Sequence, residues 1–219
     1  TLYRFVNLNA QIFQKEQKNL FGKLDIEREK VNLGINDLLS IYNEEWIDAW
    51  FDNEEHKKEY KKKGKEILKS FYKDFLKKGF CVLYMENEPA LEKDFSINLN
   101  GNKFVGSIDR IDKIKDEIEI IDYKTGNVKK SLSADDKFQL EIYNLVANKL
   151  FNITPSKLTF YYLEEGKHSS FEPKVKALKK TEEKILNIIK RIKRSKFKPT
   201  AGWQCQFCDY KDICPHRKF

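Results

Sequence analysis

The stretch FSINLNGNKFVGSIDRIDKIKDEIEIIDYKTG, residues 95 to 126, alternates apolar and polar residues with a period of two. It is interrupted at Asn100-Gly101 and again at Lys115-Asp116-Glu117. A period of two marks a strand with one buried face, and Asn-Gly is a strong hairpin signal. The pattern predicts a three-stranded antiparallel meander. Its last strand ends in Asp122 and Lys124, a carboxylate and an amine two residues apart that share a face if the extended conformation persists. The preceding strand carries Asp109, but alternation alone leaves the register of Asp109 against Asp122 open.

Helical periodicity flanks this meander. Residues 1–80 read as helical, with Leu38, Leu39, Tyr42, Trp46 and Ala49 on one face and Tyr60, Ile67, Leu68, Phe71 and Phe75 on the next. Residues 134–151 return to helix, KLTFYYLEEGKHSSFE predicts a strand pair turning at Glu165-Gly166, and 174–195 predicts a basic helix. Helices, three strands, helix, two strands, helix is the order of an α/β domain with a mixed central sheet. A length of 219 residues suits one domain: a helical region 1–80, an α/β core 85–195 and a Cys-rich tail 199–219.

Composition bounds the partner. A formal charge of +8 suits a polyanion, and no apolar run is long enough to span a bilayer, so a cytoplasmic chain without a membrane is expected. The helix segment EKILNIIKRIKRSKFK offers Lys190, Arg191, Lys193 and Arg194 to a phosphate backbone. Trp203 is read as cover for the tail and Phe207 as cover or a stacking surface. Two carboxylates and a lysine at a strand end suit a hard cation such as Mg²⁺ or Mn²⁺, with the lysine beside the reacting phosphate. The same spacing also fits a surface ion pair beside a turn.

Several motifs in order resolve that choice. Glu92 in ALEKDF, Asp109 in GSIDRID, Asp122 and Lys124 in IIDYKTG, Gln139 and Tyr143 in QLEIY, and the closing CQFCDYKDIC together resemble the PD-(D/E)XK nuclease superfamily. Within it, they are similar to the RecB-type, iron-sulfur branch found at the C-termini of UvrD-like helicases and in AddB-like subunits. The resemblance implies a restriction-endonuclease-like core. It implies metal-dependent hydrolysis of DNA, single-stranded or with a free end, with a repair helicase in the same chain or complex. It assigns metal binding to Asp109, Asp122 and the backbone carbonyl of Tyr123, catalysis to Lys124, and supporting roles to Glu92, Gln139 and Tyr143. Arg110 and Thr125 flank the carboxylates and are expected to meet a phosphate or fix the turn.

The chain departs from that branch at one point. A metal-binding histidine is expected on an early helix, and the matching segment NAQIF offers Phe13 instead. His56, His168 and His216 fall elsewhere, the first two at positions expected to be solvated. The alternative function is therefore a catalytically impaired DNA-binding module on the same fold, and a zinc-tailed interaction domain is a third.

Cys205-x2-Cys208-x5-Cys214 supplies three thiolates, and a tetrahedral zinc site or a four-iron cluster needs a fourth ligand. The resemblance implies a [4Fe-4S] cluster closed by an upstream cysteine, expected just before Thr1 if Tyr3 belongs to its Cys-Pro-x-x-Tyr segment. Zn²⁺ closed by His216 is the alternative. Cys81 is a third candidate, read first as a small buried apolar side chain.

Overall fold

The computed structural model describes residues 1–17, 33–79, 81–129 and 131–217. It divides into two compact units, Thr1–Glu182 and Glu183–Phe219. The first contains helices α1 (Leu2–Gln17), α2 (Ile35–Glu44) and α3 (Glu54–Lys78), then strands β1 (Tyr84–Met85) and β2 (Glu88–Pro89). Strands β3 (Leu91–Leu99), β4 (Asn102–Ile114) and β5 (Glu117–Lys124) follow, then α4 (Ala134–Leu150), β6 (Lys157–Tyr162) and β7 (Lys167–Phe171). Helix α5 (Val175–Arg194) runs across the division.

The meander forms as the alternation predicts. Leu99 pairs with Asn102 around a two-residue turn in which Asn100 and Gly101 have φ of 49° and 75°. Both central residues of a primed hairpin turn need that left-handed backbone, which Asn tolerates and Gly adopts freely. β5 then pairs with β6 in parallel, the connection being made by α4, while all other neighbours in the order β3-β4-β5-β6-β7 are antiparallel. The sheet is mixed and flanked by helices.

Its two faces carry separate cores. Phe5, Val6, Leu38, Leu68, Phe71 and Phe75 from α1, α2 and α3 pack on Ile121, Tyr161 and Leu163. Leu140, Val146 and Ala147 of α4 pack on Ile111, Ile120, Leu158 and Phe160. Adjacent residues such as Ile120 and Ile121 therefore serve opposite cores, which is why the alternation of β5 breaks at that pair.

One expectation changes. Helix α2 ends at Glu44, so Trp46 and Ala49 lie in the connection to α3 and not on a helical face. The short β1-β2 hairpin turns at Glu86 and Asn87, both left-handed, and carries too few residues for a periodic signal. Helix across the whole of residues 1–80 was expected; residues 18–32 lie outside the described residues. No described helix is long and apolar enough to cross a membrane.

Candidate active site

Strand register assembles the acidic residues. The β4-β5 ladder runs from Ile114↔Glu117 to Arg110↔Ile121, and one further step sets Asp109 opposite Asp122. On the other side Leu91↔Arg110 and Lys93↔Ile108 bracket Glu92, which falls opposite Asp109. Glu92, Asp109 and Asp122 thus occupy one row across three strands. Past the ladder's last pair, Asp109 Oδ2 accepts the Tyr123 backbone N–H at 2.9 Å. Glu92 is exposed with a φ of 43°, a backbone conformation that a non-glycine residue keeps only where its surroundings impose it.

Glu92 and Asp109 open, with Thr125, onto a cavity of about 540 Å³. Its other walls include Tyr3 and Val6 of α1, Tyr42 of α2, and Gly64 and Leu68 of α3. Periodicity marked several of these as core, but gave no sign that they enclose a space beside the carboxylates. Gly64 is needed there: a Cβ would come within 2.2 Å of the Tyr42 hydroxyl.

Asp122 is almost fully buried, and α4 holds it. Gln139 Nε2 donates to Asp122 Oδ1 at 2.9 Å, and the Tyr143 hydroxyl donates to the same oxygen at 3.4 Å. Gln139 Oε1 in turn accepts from Lys124 Nζ at 2.9 Å. Ammonium can only donate and carboxylate only accept, so one amide orientation alone satisfies both ends. Lys124 Nζ lies 2.6 Å from Asp122 Oδ2 and 5.0 Å from the centre of the Phe160 ring. Oδ2 is buried with that ionic neighbour and no directed hydrogen bond. Burial raises the Asp122 pKa, Lys124 pulls it back, and the charge of Asp109 raises it further. Burial likewise pushes the Tyr143 phenol up to about 12, so it stays a donor at neutral pH.

A second buried network lies beneath the row. Arg110 is 3% exposed and Asp112 fully buried. The guanidinium binds Asp112 at both oxygens, Nε to Oδ1 at 2.5 Å and Nη2 to Oδ2 at 2.9 Å. Its Nη1 reaches the Tyr123 hydroxyl at 3.3 Å, and the Cys81 thiol donates to Asp112 Oδ2 at 3.1 Å. Arg110 therefore faces Asp112 and Tyr123 rather than a phosphate, because an unpaired buried carboxylate would be far more costly. Cys81 is buried and held as a thiol, its pKa pushed up to about 12 by burial and by Asp112, as its apolar reading implies.

The histidines divide differently from the sequence expectation. His168 is half-buried, stacked on Tyr161 at 4.1 Å with Nε2 2.9 Å from Asp74 Oδ2, so it is not a solvated turn residue. His56 is half-buried too, edge-on to Tyr60 at 4.6 Å. His216 is exposed, and Phe13 falls on α1 with its side chain outside the described residues.

Within the second unit, Lys190, Arg191, Lys193 and Arg194 are exposed on α5. Trp203 and Phe207 are both 77% exposed and meet edge to face, which overturns a covering role for Trp203. Cys205, Cys208 and Cys214 are half-buried free thiols. Among the described residues no three His, Cys, Asp or Glu side chains converge as a metal would require, and the three thiols as placed do not fit a cluster. The carboxylates fit Mg²⁺ or Mn²⁺, which needs only one or two of them beside water: Asp109 stands opposite Asp122, whose buried Oδ2 has the Lys124 ammonium as its neighbour.

The family model of the PD-(D/E)XK nuclease superfamily matches residues 18–215. The Gene 69 protein of Mycobacterium phage L5 is 29% identical over 135 residues, covering 58% of this chain and 45% of its own. The Gene 69 protein of Mycobacterium phage D29 is 30% identical over 137 residues, covering 59% and 49%. The chain thus spans about half the length of these curated relatives. The solved structure of SSO0001 aligns over 99% of this chain and 98% of its own with 17% identity and a TM-score of 0.41, too distant to bear on the fold.

Proposed function

The chain belongs to the PD-(D/E)XK nuclease superfamily, and from that premise we propose that it is a metal-dependent deoxyribonuclease. Its reacting centre is the row Glu92, Asp109 and Asp122 with Lys124 at its end. The observation that carries this reading is the clamp in which Gln139 joins the Asp122 carboxylate to the Lys124 ammonium. A purely structural ion pair would not require both partners to be held by one amide.

Asp109, Asp122 and the Tyr123 carbonyl are the proposed ligands of Mg²⁺ or Mn²⁺, which when bound polarises a phosphate and acidifies water. Lys124 supplies a fixed positive charge where negative charge grows on the phosphate. Gln139 and Tyr143 keep Asp122 Oδ1 occupied, so the carboxylate cannot rotate. Glu92 faces the same cavity as Asp109 and is the proposed partner for a water.

Single-stranded DNA with a free end is the proposed substrate, since Glu92 and Asp109 line a cavity walled by helices rather than an open face. Lys190, Arg191, Lys193 and Arg194 are proposed for backbone contact. The Cys-rich tail is proposed as a holder of a structural metal, [4Fe-4S] or zinc, only if its three thiols, which do not converge as described, draw together around it. That reading, like partnership with a repair helicase, rests on sequence spacing and resemblance. Iron and zinc content of the purified protein tests the first, and co-purification with a helicase tests the second.

Cleavage of end-labelled single strands with Mg²⁺ or Mn²⁺ tests the function. Activity is expected in the wild type and lost in Asp122→Ala and Lys124→Ala; a folded wild type inert with both metals refutes it. The second reading, a DNA-binding module without catalysis, is favoured by Lys124 Nζ lying on Asp122 Oδ2. It predicts salt-sensitive binding indifferent to both substitutions.

A further inference from the structure

The connection between α2 and α3 reads WIDAWFDN, residues 46–53, and gathers aromatic rings outside both cores. Trp46 and Phe51 stack at 5.4 Å with planes 10° apart. Tyr60 continues from Phe51 at 6.1 Å, and Lys61 lies over the Trp46 ring at 5.3 Å. Packing accounts for Trp46 and Phe51, which are half-buried. It does not account for Trp50, which is 91% exposed on a backbone with a φ of 69°. A bulky residue in the left-handed region is strained, and an exposed indole gains nothing from burial, so folding alone gives no reason for either.

Two further observations say what the indole meets. The cluster is continuous with the cavity, because Tyr42 both lines that cavity and packs edge-on against Trp46 at 5.5 Å. Its charge suits a polyanion: Asp48 is taken up by Lys57 and the Trp46 indole N–H, and Glu54 by Lys57. Lys58, Lys61, Lys62 and Lys65 make no ion pair among the described residues, against three acids nearby with no Lys or Arg partner among them, Asp52, Glu55 and Glu59. Aromatic faces interleaved with free cations are what single-stranded nucleic acid binds, since every base has a face to stack.

We propose that Trp50, with Trp46, Phe51 and Tyr60, forms a stacking platform that docks single-stranded DNA and leads it past Tyr42 to the cavity holding Glu92 and Asp109. The platform deepens the nuclease reading and rests on it for what happens at the cavity; the docking itself needs no cleavage. Lys61, Lys62 and Lys65 hold the phosphates while the rings hold the bases.

Binding of fluorescein-labelled oligo-dT in EDTA, followed by anisotropy, tests it. Trp50→Ala is expected to weaken affinity about tenfold, as loss of one stacked base does, with Trp50→Phe recovering most of it. Affinity for a duplex of the same length is expected to stay within about twofold, because paired bases offer no free face. Trp50→Ala should keep the wild-type melting temperature, since its ring is solvated; Tyr60→Ala, at a position 51% exposed, provides a second variant. Oligo-dT affinity unchanged in both folded variants overturns the proposal and gives the patch to a protein partner. A wild type that cleaves nothing yet binds oligo-dT through Trp50 ends the nuclease reading and keeps the platform. Cleavage that depends on Asp122, with binding indifferent to Trp50 and Tyr60, does the reverse.

Discussion

Gln139 holds Asp122 with its amide nitrogen, at 2.9 Å from Oδ1, and Lys124 with its amide oxygen at the same distance. Replacing it by Leu keeps the volume and removes both hydrogen bonds. Cleavage by Gln139→Leu is expected to fall about 10- to 100-fold in kcat with little change in KM, since a supporting contact to a ligating carboxylate is lost. Steady-state kinetics on a single-stranded oligonucleotide measure this.

Asp122→Asn should lose cleavage while gaining stability. The native pKa is raised, chiefly by burial, so the folded protein binds this proton more readily than the unfolded chain, whose value is near about 3.9. Stability therefore declines as pH rises from about 3.9 through the raised native pKa, and the penalty is fully present above it. The Asn variant is expected to melt higher than wild type at neutral pH and to lose that advantage below about pH 3.9. Thermal unfolding at both pH values decides.

Arg110 and Asp112 form a bidentate pair with almost no solvent. Arg110→Ala strands a buried carboxylate and is expected to cost about 3–5 kcal/mol, while replacing both by apolar residues of similar volume should restore much of it. Urea midpoints of the single and double variants measure the difference.

Gly64→Ala tests the cavity wall. Alanine favours a helix interior over glycine by about 0.8–1.0 kcal/mol. Its Cβ would meet the Tyr42 hydroxyl at 2.2 Å and ring carbon Cζ at 2.7 Å, so the ring must move. Overpacking of about 1–3 kcal/mol should outweigh the propensity gain and lower the melting temperature.

Mg²⁺ or Mn²⁺ should stabilise the wild type by about 2.7 kcal/mol at a hundredfold excess over Kd, and so raise its melting temperature. Asp109→Ala and Asp122→Ala should lose that shift. A calorimetric titration of melting against metal checks it without any cleavage.

Local periodicity determined the meander, the Asn100-Gly101 turn, helix α4 and the faces of α2 and α3, because each depends on neighbours a few residues apart. It also placed Asp122 and Lys124 on one face. It misjudged Trp46 and His168, whose surroundings come from beyond their own element: Phe51 past the end of α2 and Lys61 on α3, Tyr161 across a strand pair and Asp74 on α3. Arg110 turns to Asp112 two residues along its own strand and to Tyr123 on the next, a choice set by burial. Register was decided only in the fold. That Glu92, Asp109 and Asp122 share one row follows from two ladders joined through β4, and a slip of one residue in either would turn a carboxylate to the other face. The burial that raises the Asp122 pKa is likewise tertiary, since α4 must close over β5 before Gln139 can reach both residues of the pair.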